Sequence, residues 1–143
     1  MGTLIRNVSF DCANPYELAQ FWSRVFDRPV DPEFAPDDEE LVIEPPDGPR
    51  LYFQRVPEPK TVKNRVHICL QPDVLRDREV ERVRALGAAV VADRRDPDGS
   101  GWVVLADPEG NEFCVLRSDA ERNAAGQAVP ADQAALAGEV TGE

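Results

Sequence analysis

Apolar side chains at Leu18, Phe21, Trp22 and Val25 recur at i, i+3, i+4 and i+7, which predicts a helix with one buried face. Its start is marked by Asn14-Pro15-Tyr16-Glu17, where Asn14 is placed to cap, Pro15 suits the first helical position, and Glu17 completes a capping box. Arg28-Pro29 is expected to end it. Before this helix the period switches to two. Over residues 4–12, Val8, Phe10 and Cys12 share one face while Asn7, Ser9 and Asp11 share the other, as in a half-buried strand. Strands are predicted after the helix near 30–34, 41–44 and 51–56. The second half repeats this grammar, with a strand over 65–70 and a helix over 77–86. Val80, Val83 and Leu86 of that helix face inward, and Gly87 ends it. Strands follow near 89–93, 102–106 and 112–116. In its first strand Val66, Ile68 and Leu70 are expected to face the helix, opposite His67 and Cys69.

Shifting the chain by 60 positions brings the halves into correspondence without gaps. Asn7-Val8 falls on His67-Ile68, Phe53 on Phe113, Gln54 on Cys114 and Val56 on Leu116. The turn Pro46-Asp47-Gly48 falls close to Asp107-Pro108-Glu109-Gly110. The expected fold is therefore α+β, with two tandem βαβββ modules forming a curled mixed sheet around a concave cavity, helices outside. The modules span about 4–56 and 65–117, joined by the polar connector PEPKTVKN, within a domain of residues 1–117. Residues 118–143 read as an Ala/Gly-rich acidic C-terminal tail in which PADQAALAGEV can form a short helix. The apolar strand faces should pack on the helices, so the polar faces should look into the concavity.

Composition narrows the partners. At 143 residues with 42% apolar content the chain suits one compact domain. A net charge of −11 argues against nucleic acid or an anionic membrane as the main partner. No apolar run is long enough to span a bilayer, and MGTLIRNVSFDC lacks a basic region followed by an apolar signal stretch. The three cysteines, Cys12, Cys69 and Cys114, have no close pairing, so reduced thiols and a cytoplasmic location are expected. No phosphate-cradling glycine loop, Walker motif or nucleophile elbow is present.

The segments LAQFWSRVF, KNRVHICL, RALGAAVV and ADPEGNEFCVL, over roughly residues 4–117, resemble the vicinal oxygen chelate superfamily of glyoxalases, bleomycin-resistance proteins and dioxygenases, in its glyoxalase-like branch. That resemblance implies the paired βαβββ fold. It also implies either a lyase, isomerase or dioxygenase working through a divalent metal, or a drug-binding protein without catalysis. A homodimer is the expected assembly. Family members that catalyse hold the metal with side chains from the first and last strand of each module, positions that look here like Asn7, Gln54, His67 and Cys114.

The ligand set departs from the family pattern. Cys114 stands where metal-bearing relatives usually carry Glu, and amides such as Asn7 and Gln54 are weak ligands. His67, Cys69 and Cys114 together would suit zinc, but Cys69 is expected to point past the site. No cofactor is expected, while a divalent metal remains open, with His67, Gln54 and Cys114 as its candidate ligands. His67, the only histidine, is the candidate catalytic residue as a ligand or general base. Cys114 can be a thiolate ligand, but the preferred reading is a small buried hydrophobe. Substrate contacts are expected from Asn7, Tyr52, Gln54, Trp102, Glu112 and Cys114 around one small organic molecule. Three functions stay open: a binding protein with a degenerate metal site, a metal-dependent lyase, isomerase or dioxygenase, and a metal-free enzyme using His67 as acid and base. Lys60, Lys63, Arg65, Arg94 and Arg95 could attract an anionic group, though such side chains are ordinarily solvated surface charge.

Overall fold

In the computed structural model, which describes residues 1–125, the chain is α+β and divides into two compact units. The first is Met1–Val62 together with Asp107–Gly110, and the second is Lys63–Ala106 with the described residues from Asn111 onward.

The first unit contains β1 (Asn7–Cys12), α1 (Pro15–Phe26), β2 (Glu40–Ile43) and β3 (Arg50–Arg55). Its sheet is mixed, in the order β1-β3-β2, with β1 parallel and β2 antiparallel to β3. The stripe read from the sequence is the buried face of α1: Leu18, Phe21, Trp22 and Val25 all lie inside, against β2 and β3. Phe10 joins this core, with its ring 5.5 Å from that of Trp22 and 5.2 Å from that of Phe53.

Two local expectations change here. Residues 30–34 do not form a strand; Val30 makes a single bridge to Ile43, and Asp31 then turns the chain by accepting from the Glu33 and Phe34 amides. Pro29 and Pro32 each remove a ladder donor, which accounts for the short pairing. The start of α1 is also not capped as predicted, since Asn14 makes no side-chain cap bond. A distant carboxylate replaces it. Glu109 Oε1 accepts from the Ala13 amide at 2.7 Å, and Oε2 accepts from the Asn14 amide at 2.8 Å. A negative charge at this end also suits the helix dipole. Asp107 holds the same turn in place. Its Oδ1 accepts from the Glu109 amide at 2.9 Å, and its Oδ2 accepts from the buried Trp22 indole at 3.0 Å. The DPEGN motif is thus a turn whose carboxylates complete the first unit's helix. At the other end α1 stops at Phe26, before Arg28-Pro29 as expected, with Asp27 left-handed at φ 52°.

The second unit has the full βαβββ order: β4 (Ile68–Leu70), α2 (Arg76–Leu86), β5 (Ala89–Asp93), β6 (Val103–Ala106) and β7 (Glu112–Val115), followed by α3 (Asp119–Ala124). Its sheet order is β4-β7-β6-β5, with β4 parallel to β7 and the other pairs antiparallel. Leu70, Val83, Leu105, Phe113 and Val115 fill the core. β4 begins later than predicted, and Val66 is 82% exposed rather than packed on the helix, because pairing with β7 starts only at Ile68. Gly87 ends α2 as expected, at φ 126°.

Residues 118–125, read as the beginning of a tail, carry α3, which the sequence reading missed. Ser118 and Glu121 form a reciprocal capping box, and Glu121 also accepts from the Arg76 amide at 2.9 Å, at the start of α2. The buried Arg76 guanidinium donates to the Gly99 and Gly101 carbonyls at 2.7 and 2.8 Å. Gly101 cannot be replaced easily, because at φ 91° an added Cβ would sit 2.2 Å from the Arg94 carbonyl oxygen. The helix expected within PADQAALAGEV lies outside the described residues.

The two halves are not related by a uniform shift of 60. Val8 pairs with Leu51, an offset of 43, whereas Ile68 pairs with Phe113, an offset of 45. A slip of two preserves which face each side chain takes but moves it along the strand by two residues, about 7 Å.

Candidate functional site

Strand alternation and pairing decide which side chains share a face in the second unit. His67 and Cys69 are two apart, so both project from the same side of β4 and its lead-in. Cys69 pairs with Cys114 on β7, Val104 pairs with Cys114, and Ala106 pairs with Glu112. By alternation Trp102 belongs with Val104 and Ala106. One face of this sheet therefore carries His67, Cys69, Glu112, Cys114 and Trp102, while Leu70, Leu105, Phe113 and Val115 form the other, core-facing side.

Three of these groups converge. Cys114 Sγ lies 3.6 Å from His67 Nδ1, and Cys69 Sγ lies 3.9 Å from the same nitrogen. The candidate ligand atoms of His67, Cys69 and Cys114 all fall within 4.8 Å of one another. Cys114 is buried at 1% exposure, His67 is half-buried, and Cys69 is exposed. The expectation that Cys69 points past the site is thus corrected. The signal was present in the His-x-Cys spacing, which alone puts both residues on one strand face. Proximity to the third group needed the β4–β7 register.

The remaining candidates divide by location. Glu112 lies two residues before Cys114 on the same face, and Lys63 Nζ donates to its carboxylate at 3.1 Å. Asn64 Oδ1 accepts from the Glu112 amide at 3.3 Å, which anchors the lead-in to β4 beside β7. Trp102 is half-buried, and its indole Nε1 is buried without a hydrogen-bond partner among the described residues. In the first unit Asn7 donates to Ser9 Oγ at 3.1 Å and pairs with Arg50, whereas Gln54 is exposed and pairs with Asp11. Four residues of strand, about 13 Å, separate the levels of Asn7 and Gln54, so this sheet does not bring those two side chains together. Tyr52 lies between them, half-buried, with the Arg50 guanidinium 5.5 Å from its ring centre.

Two of the basic candidates are engaged by neighbouring carboxylates, Lys63 by Glu112 and Arg95 by two aspartates, while Lys60 donates to the Val62 carbonyl. Arg95 pairs with both Asp93 and Asp77. Hydrogen bonds from Arg95 hold the Asp93 carboxyl down at about 2.

The three thiols differ sharply in environment, and no disulfide joins them. Burial, reinforced by the charge of nearby Glu109, pushes the Cys12 thiol up to about 12, and Cys12 is only 2% exposed. Since the thiolate is the reactive form and access is required, metal-free native protein should show one fast-alkylating cysteine, Cys69. All three should react after denaturation. Mass mapping of the labelled peptides checks this, and equal native rates at two or more cysteines would contradict the arrangement.

Comparison with known proteins places these observations in context. The glyoxalase-like domain family matches residues 7–116. No curated protein sequence matches the chain. Among solved structures, the chain resembles a glyoxalase/bleomycin resistance protein/dioxygenase family enzyme from Burkholderia phytofirmans at 16% identity and a TM-score of 0.63, covering 79% of this chain and 97% of that one. It also resembles the oxidase ChaP-H2 at 20% identity and a TM-score of 0.59, with coverage of 82% and 94%. A third similar structure is the fosfomycin resistance protein FosX from Listeria monocytogenes, complexed with Mn(II) and a dihydroxypropylphosphonic acid. It matches at 15% identity and a TM-score of 0.63, with coverage of 85% and 94%. At these identities the structural likenesses speak to fold. Among the described residues no helix is long and apolar enough to cross a membrane.

Proposed function

The chain belongs to the glyoxalase-like domain family, and on that premise we propose that it is a binding protein for a small organic molecule held on the His67–Glu112–Cys114–Trp102 face. The observation that carries this reading is the buried Cys114 thiol beside His67, at the position where the family resemblance puts a carboxylate ligand. Hard ions such as manganese or magnesium favour carboxylate and water oxygens. Within the second unit, His67 and Cys114 supply an imidazole and a thiol, and so do not fit an ion of the kind bound to FosX.

The same face offers what an organic ligand requires. The Trp102 indole is a flat apolar surface with an N–H donor awaiting an acceptor. His67 can donate or accept, and the Glu112–Lys63 pair supplies charge of both signs.

Titration of metal-free protein with fosfomycin, bleomycin and a panel of small aromatic and oxyacid compounds, read by tryptophan fluorescence, tests the reading. A true ligand should change the emission, and Trp102→Phe should remove most of that change. His67→Ala should weaken binding by the loss of about one hydrogen bond, roughly 0.5–1.5 kcal/mol. The same titration with Tyr52→Phe and Gln54→Ala tests the first unit's candidates. Binding that all these substitutions leave untouched would place the ligand elsewhere.

A further inference from the structure

We propose that His67, Cys69 and Cys114 form a binding site for zinc or a similar borderline divalent ion, distinct in ligand chemistry from a carboxylate-based metal centre. The geometry is that of a partly assembled tetrahedron. Zinc bonds of about 2.3 Å to sulfur and about 2.0–2.1 Å to nitrogen place neighbouring tetrahedral donors about 3.5–3.8 Å apart. The two nitrogen–sulfur separations are 3.6 and 3.9 Å, and all three donor atoms lie within 4.8 Å of one another. Only side-chain adjustments of a fraction of an ångström are needed on those two edges.

The donor set also selects the ion. Two thiolates and an imidazole suit zinc, whereas manganese and magnesium favour oxygen ligands. On binding, each thiol loses its proton to solvent and forms a sulfur–metal bond, while His67 ligates through the neutral Nδ1. Neighbouring paired strands hold Cys69 and Cys114 side by side, so the protein loses little entropy in gathering the ligands. Cys69 is exposed, which supplies an entry route. Three protein ligands leave a fourth tetrahedral position for water or a ligand donor atom.

Zinc binding is measured with the ion alone, so the result does not depend on the organic-ligand reading. Reduced, metal-stripped protein is titrated with Zn2+ by calorimetry, and with Co2+ as a spectroscopic probe. One zinc per chain is expected, with a thiolate-to-cobalt charge-transfer band and no displacement of zinc by equimolar Mn2+. Cys69→Ser, His67→Ala and Cys114→Ser should each weaken zinc by about 10–100-fold or more, since even outer-shell changes at metal sites have effects of that size. Bound zinc should also protect Cys69 from alkylation. Cys114 is buried, so if Cys114→Ser fails to fold, the exposed Cys69→Ser decides the question. The proposal is overturned by the absence of stoichiometric zinc at micromolar concentration, by equal affinity in Cys69→Ser, by a cobalt spectrum without the thiolate band, or by preference for manganese.

Discussion

Trp22→Ala is expected to destabilise the protein by about 3–5 kcal/mol, the range for truncating a large buried aromatic side chain. Trp22 is 1% exposed and meets three aromatic neighbours, with ring centres 5.3 Å away at Phe21, 5.5 Å at Phe10 and 5.9 Å at Phe26. Its removal opens a cavity among these rings and takes a donor from the buried Asp107 carboxylate. Trp22→Phe separates the two effects. It keeps most of the ring volume but leaves Asp107 Oδ2 without the indole N–H, and should cost less, about 1–3 kcal/mol. Urea unfolding of both variants measures the difference. A loss below about 1 kcal/mol for Trp22→Ala would mean that this cluster contributes far less than its burial implies.

Alkaline pH should expose the second large effect. The Cys12 thiol is raised from 9.0 to about 12, first by burial and then by Glu109. Its Sγ is 3.5 Å from the Gln54 carbonyl oxygen, to which it donates. The unfolded chain gives up this proton near pH 9, whereas the folded chain keeps it until about pH 12. Between those values the unfolded state binds fewer protons, so stability must fall as pH rises, by up to about 1.4 kcal/mol per pH unit. Well below pH 9 the group contributes no slope, because both states then keep the proton. Denaturation at pH 8 to 11 of wild type and Cys12→Ala checks this, since lysine and tyrosine titration is common to both. The wild type should lose stability more steeply, and parallel curves would show that Cys12 ionises in the folded state as easily as in the unfolded one.

Much of the architecture was legible from the pattern of side chains. The i, i+3, i+4, i+7 stripe of Leu18, Phe21, Trp22 and Val25 forms the buried face of α1 because helix geometry is local and needs no knowledge of what lies opposite. Period-two alternation likewise predicted that His67 and Cys69 share a face and that Glu112 and Cys114 share another stretch of it. The α+β repeat followed from the order of these elements. Errors fell where local signals compete with distant ones. Asn14 and Glu17 form a plausible capping box, yet Glu109 supplies the contacts. Residues 30–34 look like a strand by composition, yet Pro29, Pro32 and the Asp31 turn limit them to one bridge.

By itself the sequence determined element type, the face each side chain takes, and the chemistry available: one imidazole, three thiols, and a thiol where a carboxylate was expected. Tertiary structure decided which of those groups meet. The offset of 43 between β1 and β3 leaves Asn7 and Gln54 apart, while the offset of 45 between β4 and β7 sets Cys69 beside Cys114 and brings His67 to both. A slip of two leaves every face unchanged, so the alternation that predicts faces is blind to it. Register is selected by the packing of the strands and the turns that join them, and only the folded chain contains that information.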